Sequence, residues 1–161
     1  MFYRFRQFIT AAFAKLTKED INFINKYLNS YEVELFKRLP KYCKVHSVRV
    51  ARDALEESLK KNLYDTYLIK ACLLHDIGKI NCGFNMFTNS IIVIIEKLLP
   101  SLLQRRKNIK IVNAYYNHPE IALSYIENED SYVKYLILNH HNYSLKEDEK
   151  LIILQRCDCK N

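Results

Sequence analysis

Two glycines and three prolines in 161 residues leave this chain few places to turn sharply. Glycine supplies the positive φ that tight turns need, and proline interrupts helices and strand ladders. So few breakers argue against a loop-rich all-β fold and for long helices.

The hydrophobic spacing agrees. Thr17 with Asp20 resembles a capping box opening a helix over 17–28. A second helix over 31–39 stops at Pro40. Val48, Ala51, Leu55 and Leu59 recur at helical spacing over 45–61, with His46 in the first turn. A helix over 65–75 carries Leu68, Cys72 and His75 along one side, with Gly78 expected to supply the positive φ that ends it. Residues 81–89 read as a loop, and Ser90 as the cap of a helix to 99. The β-branched run Ile91–Ile95 also fits a buried strand, but Leu98, Leu99, Leu102 and Leu103 continue an apolar face past Pro100 and favour helix. Residues 109–116 are helical, and His118-Pro119 restarts a helix filled by Ile121, Leu123, Tyr125 and Ile126. Val133, Leu136, Ile137 and His140 form one helical face, and a last helix spans 147–158. No repeat, linker or low-complexity segment interrupts the pattern.

The length fits one domain, since domains run roughly 100–200 residues. Apolar content of 49% and charged content of 27% are those of a globular chain. The net charge of +7 suits a solvated basic surface or attraction for anionic partners: nucleotides, nucleic acid or acidic lipid. The densest basic run, Arg105-Arg106-Lys107 with Lys110, has no interleaved aromatics and is a poor single-strand binding surface. Five cysteines without secreted-scaffold spacing point to a reduced cytoplasmic protein. The Cys157-Asp158-Cys159 spacing is not a standard zinc pattern. Near the N-terminus, Arg4 and Arg6 precede the apolar stretch 8–14, which loosely mimics a signal peptide but is short and holds Thr10. A basic, aromatic amphipathic helix packed on the domain is expected there. No stretch reaches the ~20 apolar residues of a transmembrane helix.

All five histidines fall in helix-like apolar segments: His46, His75 followed by Asp76, His118, and the pair His140-His141, with Asp158 close behind. Imidazole and carboxylate donors suit Fe, Mn, Zn, Co or Ni. A lone histidine is usually a satisfied core or surface residue. Here His75 and His140 lie on apolar faces, where an unpaired imidazole or a neighbouring carboxylate is costly and a bound metal removes the cost. Five histidines and two aspartates exceed the four ligands of a closed zinc site, so the tally suits two metals better than one. Lys79, four residues beyond His75, fits either a phosphate-neutralising role or a helix C-terminal cation. Arg49, one turn after His46, fits either a pocket-facing cation or a surface salt bridge.

The pieces Val45-His-Ser-Val-Arg-Val-Ala51, Leu73-Leu-His-Asp-Ile-Gly-Lys79, Asn117-His-Pro-Glu-Ile-Ala-Leu123, Asn139-His-His141 and Asp158 stand in a characteristic order. In them the chain resembles the HD-domain (HDIG-type) superfamily of metal-dependent phosphohydrolases. The resemblance implies an all-α, single-domain helical bundle with a buried metal site. Residues 1–40 would form N-terminal helices packed on the core, and residues 41–161 the HD domain. It implies one or two divalent ions (Fe, Mn, Ni, Co, Zn or Mg). His46, His75, Asp76 and Asp158 would hold the first and His118 with His140, His141 or both the second, with Asp76 bridging. Asp76 and Lys79 would be catalytic, and Lys79 and Arg49 would contact the substrate. The implied reaction is hydrolysis of a phosphoester or phosphoanhydride, in a nucleotide or another small phosphorylated molecule, by a metal-activated water. The alternatives are an idle HD domain that binds metal and nucleotide as a sensor, or a phosphodiesterase acting on nucleic-acid ends or cyclic dinucleotides.

Two departures narrow this. Relatives that cleave cyclic di-GMP follow the His-His pair with a glutamate and an Asp-Gly-x-Gly-Tyr-Pro stretch, where this chain has Asn142-Tyr-Ser-Leu-Lys-Glu147. Tyr42 stands where a glutamate supplies a third metal in that group. Relatives that symmetrically cleave diadenosine tetraphosphate are similar in size and ligand order, but usually place glycine where this chain has Pro119.

Overall fold

A computed structural model describes residues 15–80, 82–83 and 86–161. The expected N-terminal amphipathic helix lies outside the described residues. Nine α-helices and no strand occur among the described residues, so the fold is an all-α bundle. The helices are α1 (Lys18–Tyr27), α2 (Ser30–Lys37), α3 (Lys41–Lys60), α4 (Thr66–Leu74), α5 (Met86–Leu98), α6 (Pro100–Gln104), α7 (Lys110–Leu123), α8 (Ser131–Asn139) and α9 (Glu149–Lys160). A single 3-10 turn, Ile77–Lys79, follows α4.

Capping sets most boundaries. Thr17 and Asp20 form the expected capping box on α1, and Asn29 with Glu32 forms a second on α2. Asp65, Asp130 and Asp148 cap α4, α8 and α9 through their carboxylates. The long helix α3 starts four residues earlier than its apolar spacing suggested, because Pro40 occupies the N-cap and the chain can turn helical directly after it. His46 therefore sits in the second turn. The run Ile91–Ile95 is helical. Its helix begins at Met86, so α5 takes in the second half of the loop expected over 81–89.

The central helix α4 is the pivot of the core. Leu68, Ile69, Ala71, Cys72, Leu73 and Leu74 are fully buried, and α4 packs on α3, α8, α9, α1 and α2. Residues of α1 and α2, including Ile24, Leu35 and Phe36, share this core. A second, smaller cluster joins Ile92 and Leu103 of α5 and α6 to Val112 and Ala114 of α7.

Gly78 does not have the positive φ expected of a helix-ending glycine; Gly83 does. Gly78 is needed for close approach, since a Cβ built on it would meet the carbonyl oxygen of His118 at 2.0 Å. Lys110–Leu123 form one helix with a kink at Asn117 (φ −116°, ψ 16°) rather than two. Tyr125 and Ile126 lie in the turn beyond it.

Candidate metal centre

Five segments bring their side chains to one point in the core. His46 comes from α3, His75 and Asp76 from the end of α4, His118 from the kink in α7, His140 and His141 from the end of α8, and Asp158 from α9. His75, Asp76, His118 and His140 are buried, while His141 is exposed and marks the open side.

Helix termini aim the rings. His75 Nδ1 lies 2.8 Å from the Cys72 carbonyl, His118 Nδ1 3.1 Å from that of Tyr115, and His140 Nδ1 2.6 Å from that of Ile137. Each partner is three residues earlier. His75 and His140 cap their helices, where the last carbonyls have no partner within the helix. The Tyr115 carbonyl is freed differently. Its regular donor would be the N–H of residue 119, and Pro119 has none. The bend at Asn117 and the proline together leave an acceptor that the His118 ring takes.

This pattern fixes the tautomers. A carbonyl can only accept, so each Nδ1 carries the hydrogen and each neutral Nε2 is a bare lone pair. Yet His118 Nε2 and His140 Nε2 face each other at 3.2 Å, and the buried His75 Nε2 has no hydrogen-bond partner among the described residues. Facing lone pairs and an orphaned buried nitrogen fit a cation between them.

The carboxylates complete the set. Asp158 Oδ1 is 2.9 Å from His46 Nε2 and 3.5 Å from His75 Nε2, and its Oδ2 is 3.9 Å from His141 Nδ1. Asp76 Oδ1 is 3.7 Å from His75 Nε2, 3.5 Å from His118 Nε2 and 2.6 Å from Lys79 Nζ. Three overlapping groups have ligand atoms within 4.8 Å of one another: His46, His75 and Asp76; His118, His140 and His141; and His75, His140 and Asp158. Such sharing can place two ions side by side.

Electrostatics keep both carboxylates and three of the rings in ligand form. Burial opposes ionisation of Asp76, but Lys79 and then His75 and His118 outweigh it and hold the carboxyl well below its usual range. Asp158 is likewise held low against burial by His46 and His75. Burial, helped by Lys79, pushes His118 down to about 3, and burial lowers His140 and His141. Burial lowers His75 as well, but Asp76 and Asp158 overcome it and raise the ring's pKa.

All seven ligand candidates read from the sequence converge, and Lys79 joins them through Asp76. Arg49 is half-buried and makes no ion pair or hydrogen bond with a described residue, so the surface salt bridge is not formed. Tyr42, in the position of the third-metal glutamate, brings a phenol instead, and Gln155 was not foreseen in this setting. Tyr42 lies one turn before His46 with a buried hydroxyl that has no described partner. Gln155 is buried and donates to the carbonyls of both Asn139 and Asn142, clamping the turn that carries His140 and His141. Its place one turn before Asp158, polar in an otherwise apolar stripe, is the sequence signal for it. Ser144, Leu145 and Lys146 line a separate 690 Å³ cleft with Tyr132 and Lys150, which none of the seven enters.

The HD domain family model matches residues 45–159, spanning the five segments that build the cluster. No curated protein and no solved structure matches the chain. HD domains bind divalent metals and their superfamily consists of metal-dependent phosphohydrolases; this chain belongs to the HD domain family.

Proposed function

We propose that the protein hydrolyses a phosphoester or phosphoanhydride of a nucleotide or another small phosphorylated molecule. The observation that carries this reading is the cluster of bare Nε2 atoms: His118 against His140 at 3.2 Å, with His75 Nε2 orphaned beside them. His46, His75, Asp76 and Asp158 would hold one divalent ion, and His118 with His140, His141 or both a second, with Asp76 shared. Divalent ions bound there would polarise a phosphoryl oxygen and lower the pKa of a water to supply the nucleophile.

The chain's own residues do the rest. The carbonyls of Cys72, Tyr115 and Ile137 hold the three rings in register. Lys79 sits at the edge of the cluster on Asp76, where its ammonium can stabilise charge developing on a phosphoryl group. Arg49, without an ionic partner among the described residues, is the second cation that can meet substrate phosphate. The exposed side at His141 admits the substrate. The free thiols fit a reducing cytoplasm.

Elemental analysis of the purified protein, followed by a phosphate-release screen over nucleotides with Mn or Fe supplied, tests the reading. One or two transition-metal ions per chain and release that disappears in Asp76→Ala are expected. Lys79→Met should keep the metals and lose roughly 10²–10³ in rate. Metal binding without any turnover would make the domain a sensor, and a protein that takes up no metal would refute both.

A further inference from the structure

The face of α5 and α6 turned away from the second core cluster is apolar and bare. Ile91, Ile94 and Leu98 follow one another at i, i+3 and i+7 on α5 and are 55%, 56% and 70% exposed. Leu99 and Leu102 continue the stripe past Pro100 at 55% and 48%. The opposite side holds the hairpin down, through buried Ile92 and Leu103. The stripe is therefore not a core face with a frayed edge. It is a second apolar surface on elements whose packing need is already met.

Its rim has a single sign. Lys97, Arg105, Arg106, Lys107 and Lys110 are all exposed, and none forms an ion pair with a described carboxylate. Glu96 is the one acidic residue between 91 and 110, and it is occupied in accepting the Tyr116 hydroxyl. Lys107 lies over the Tyr116 ring at 5.0 Å, and aliphatic side chains flanked by cations without a carboxylate partner select among occupants. A second copy meeting this face across a two-fold axis would bring the same cations against each other. Nucleic acid would answer the charge but stacks on aromatic rings, and the stripe is aliphatic. An anionic lipid surface answers both, with acyl chains for the leucines and headgroups for the cations.

We propose that the α5–α6 hairpin is a docking element for an anionic membrane surface, on which the protein lies without crossing. No described helix is long and apolar enough to span a bilayer. The sequence holds a second segment of the same chemistry, residues 1–14, with Arg4 and Arg6 among Phe2, Phe5 and Phe8.

Co-sedimentation of the full chain with vesicles tests this. Binding is expected to phosphatidylcholine vesicles containing phosphatidylserine and not to phosphatidylcholine alone, with loss at high salt. Each rim cation replaced by glutamine should weaken binding about fivefold. Leu98→Glu with Leu102→Glu should reduce it further while helical circular dichroism and metal content stay at wild-type values, since both side chains are exposed. Equal binding of the wild type and this double variant would overturn the proposal. So would absence of vesicle binding, including the case in which sedimentation velocity shows a dimer that the double variant dissolves.

Discussion

Gly78 touches His118 so closely that a Cβ on Gly78 would sit 2.0 Å from the His118 carbonyl oxygen and 2.8 Å from its Cα. The contact is backbone on backbone, so no side chain can swing aside. It locks the turn after His75-Asp76 against the kink of α7 and fixes the spacing of ligands more than forty residues apart in sequence. Gly78→Ala must push these segments apart. Overpacking of this kind costs about 1–3 kcal/mol, and displacement of His118 should also weaken metal binding. A lower Tm and a weaker metal titration are expected together. A variant with unchanged metal affinity would show that the contact serves packing alone.

Pro119 tests the aim of His118 more gently. Pro119→Ala returns an N–H that can bond the Tyr115 carbonyl, in competition with the His118 ring at 3.1 Å. Removing a proline from a helix interior favours the helix, so Tm should hold or rise. Loss of the bond that orients a ligand ring typically costs 10–100-fold in metal affinity. A more stable protein that binds metal less well is a combination few other substitutions would give. Unchanged metal affinity would mean that the ring is held by its packing.

Much of this was readable from the sequence, for identifiable reasons. Ligand side chains stand out when an apolar helix ends on them, as Leu73-Leu-His-Asp76 does, and helical spacing placed Val133, Leu136, Ile137 and His140 on one buried face. What escaped depends on distance along the chain. The need for Gly78 comes from His118 and leaves no local pattern, while Gln155 shows locally only as a polar residue in an apolar stripe and takes its role from carbonyls of the α8–α9 connection. The start of α3 was hidden because Lys41, Tyr42 and Lys44 break the apolar period before Val45. The start of α5 was hidden because Ser90 offered a plausible cap within a helix already under way.

The metal-free protein should lose stability as pH falls from about 7.5 to about 5. His118 has a folded pKa of about 3, against 6.5 for the free side chain, and His140 and His141 are also lowered. Below 6.5 the unfolded chain takes up these protons and the folded chain does not, so acidification favours unfolding. His75 acts oppositely: its raised pKa adds stability below 6.5 that is lost as pH climbs through its folded value. Three rings outweigh one. Asp76 and Asp158, both lowered from 3.8, contribute steadily across this range and fail only in stronger acid. Thermal melts of chelator-treated protein should show Tm falling toward pH 5, with a flatter slope in His118→Asn. A Tm that rises on acidification would mean that His75 dominates.

The C-terminal helix separates metal chemistry from helix chemistry within ten residues. Asp148 would look like a neutral acidic control for Asp158 from sequence, but it caps α9 by accepting from the N–H groups of Lys150 and Leu151, and it also takes the Tyr132 hydroxyl. Asp148→Ala should therefore cost about 1 kcal/mol, the usual value of an N-cap, and leave metal content alone. The Asp158 side chain caps neither end of the helix; only its backbone carbonyl accepts from the Asn161 N–H. Its carboxylate meets His46 at 2.9 Å and His75 at 3.5 Å, so Asp158→Ala should keep native circular dichroism, lose metal as His46→Ala does, and abolish phosphate release. Exposed Glu149 is the proper control, and Glu149→Ala should stay within about 0.5 kcal/mol of wild type with full metal content. The four variants measured side by side by thermal melt and metal titration give a pattern that no general weakening of the helix reproduces. If Asp158→Ala instead loses stability like Asp148→Ala and binds metal like wild type, Asp158 is a structural partner of His46, and the ligand set ends at His141.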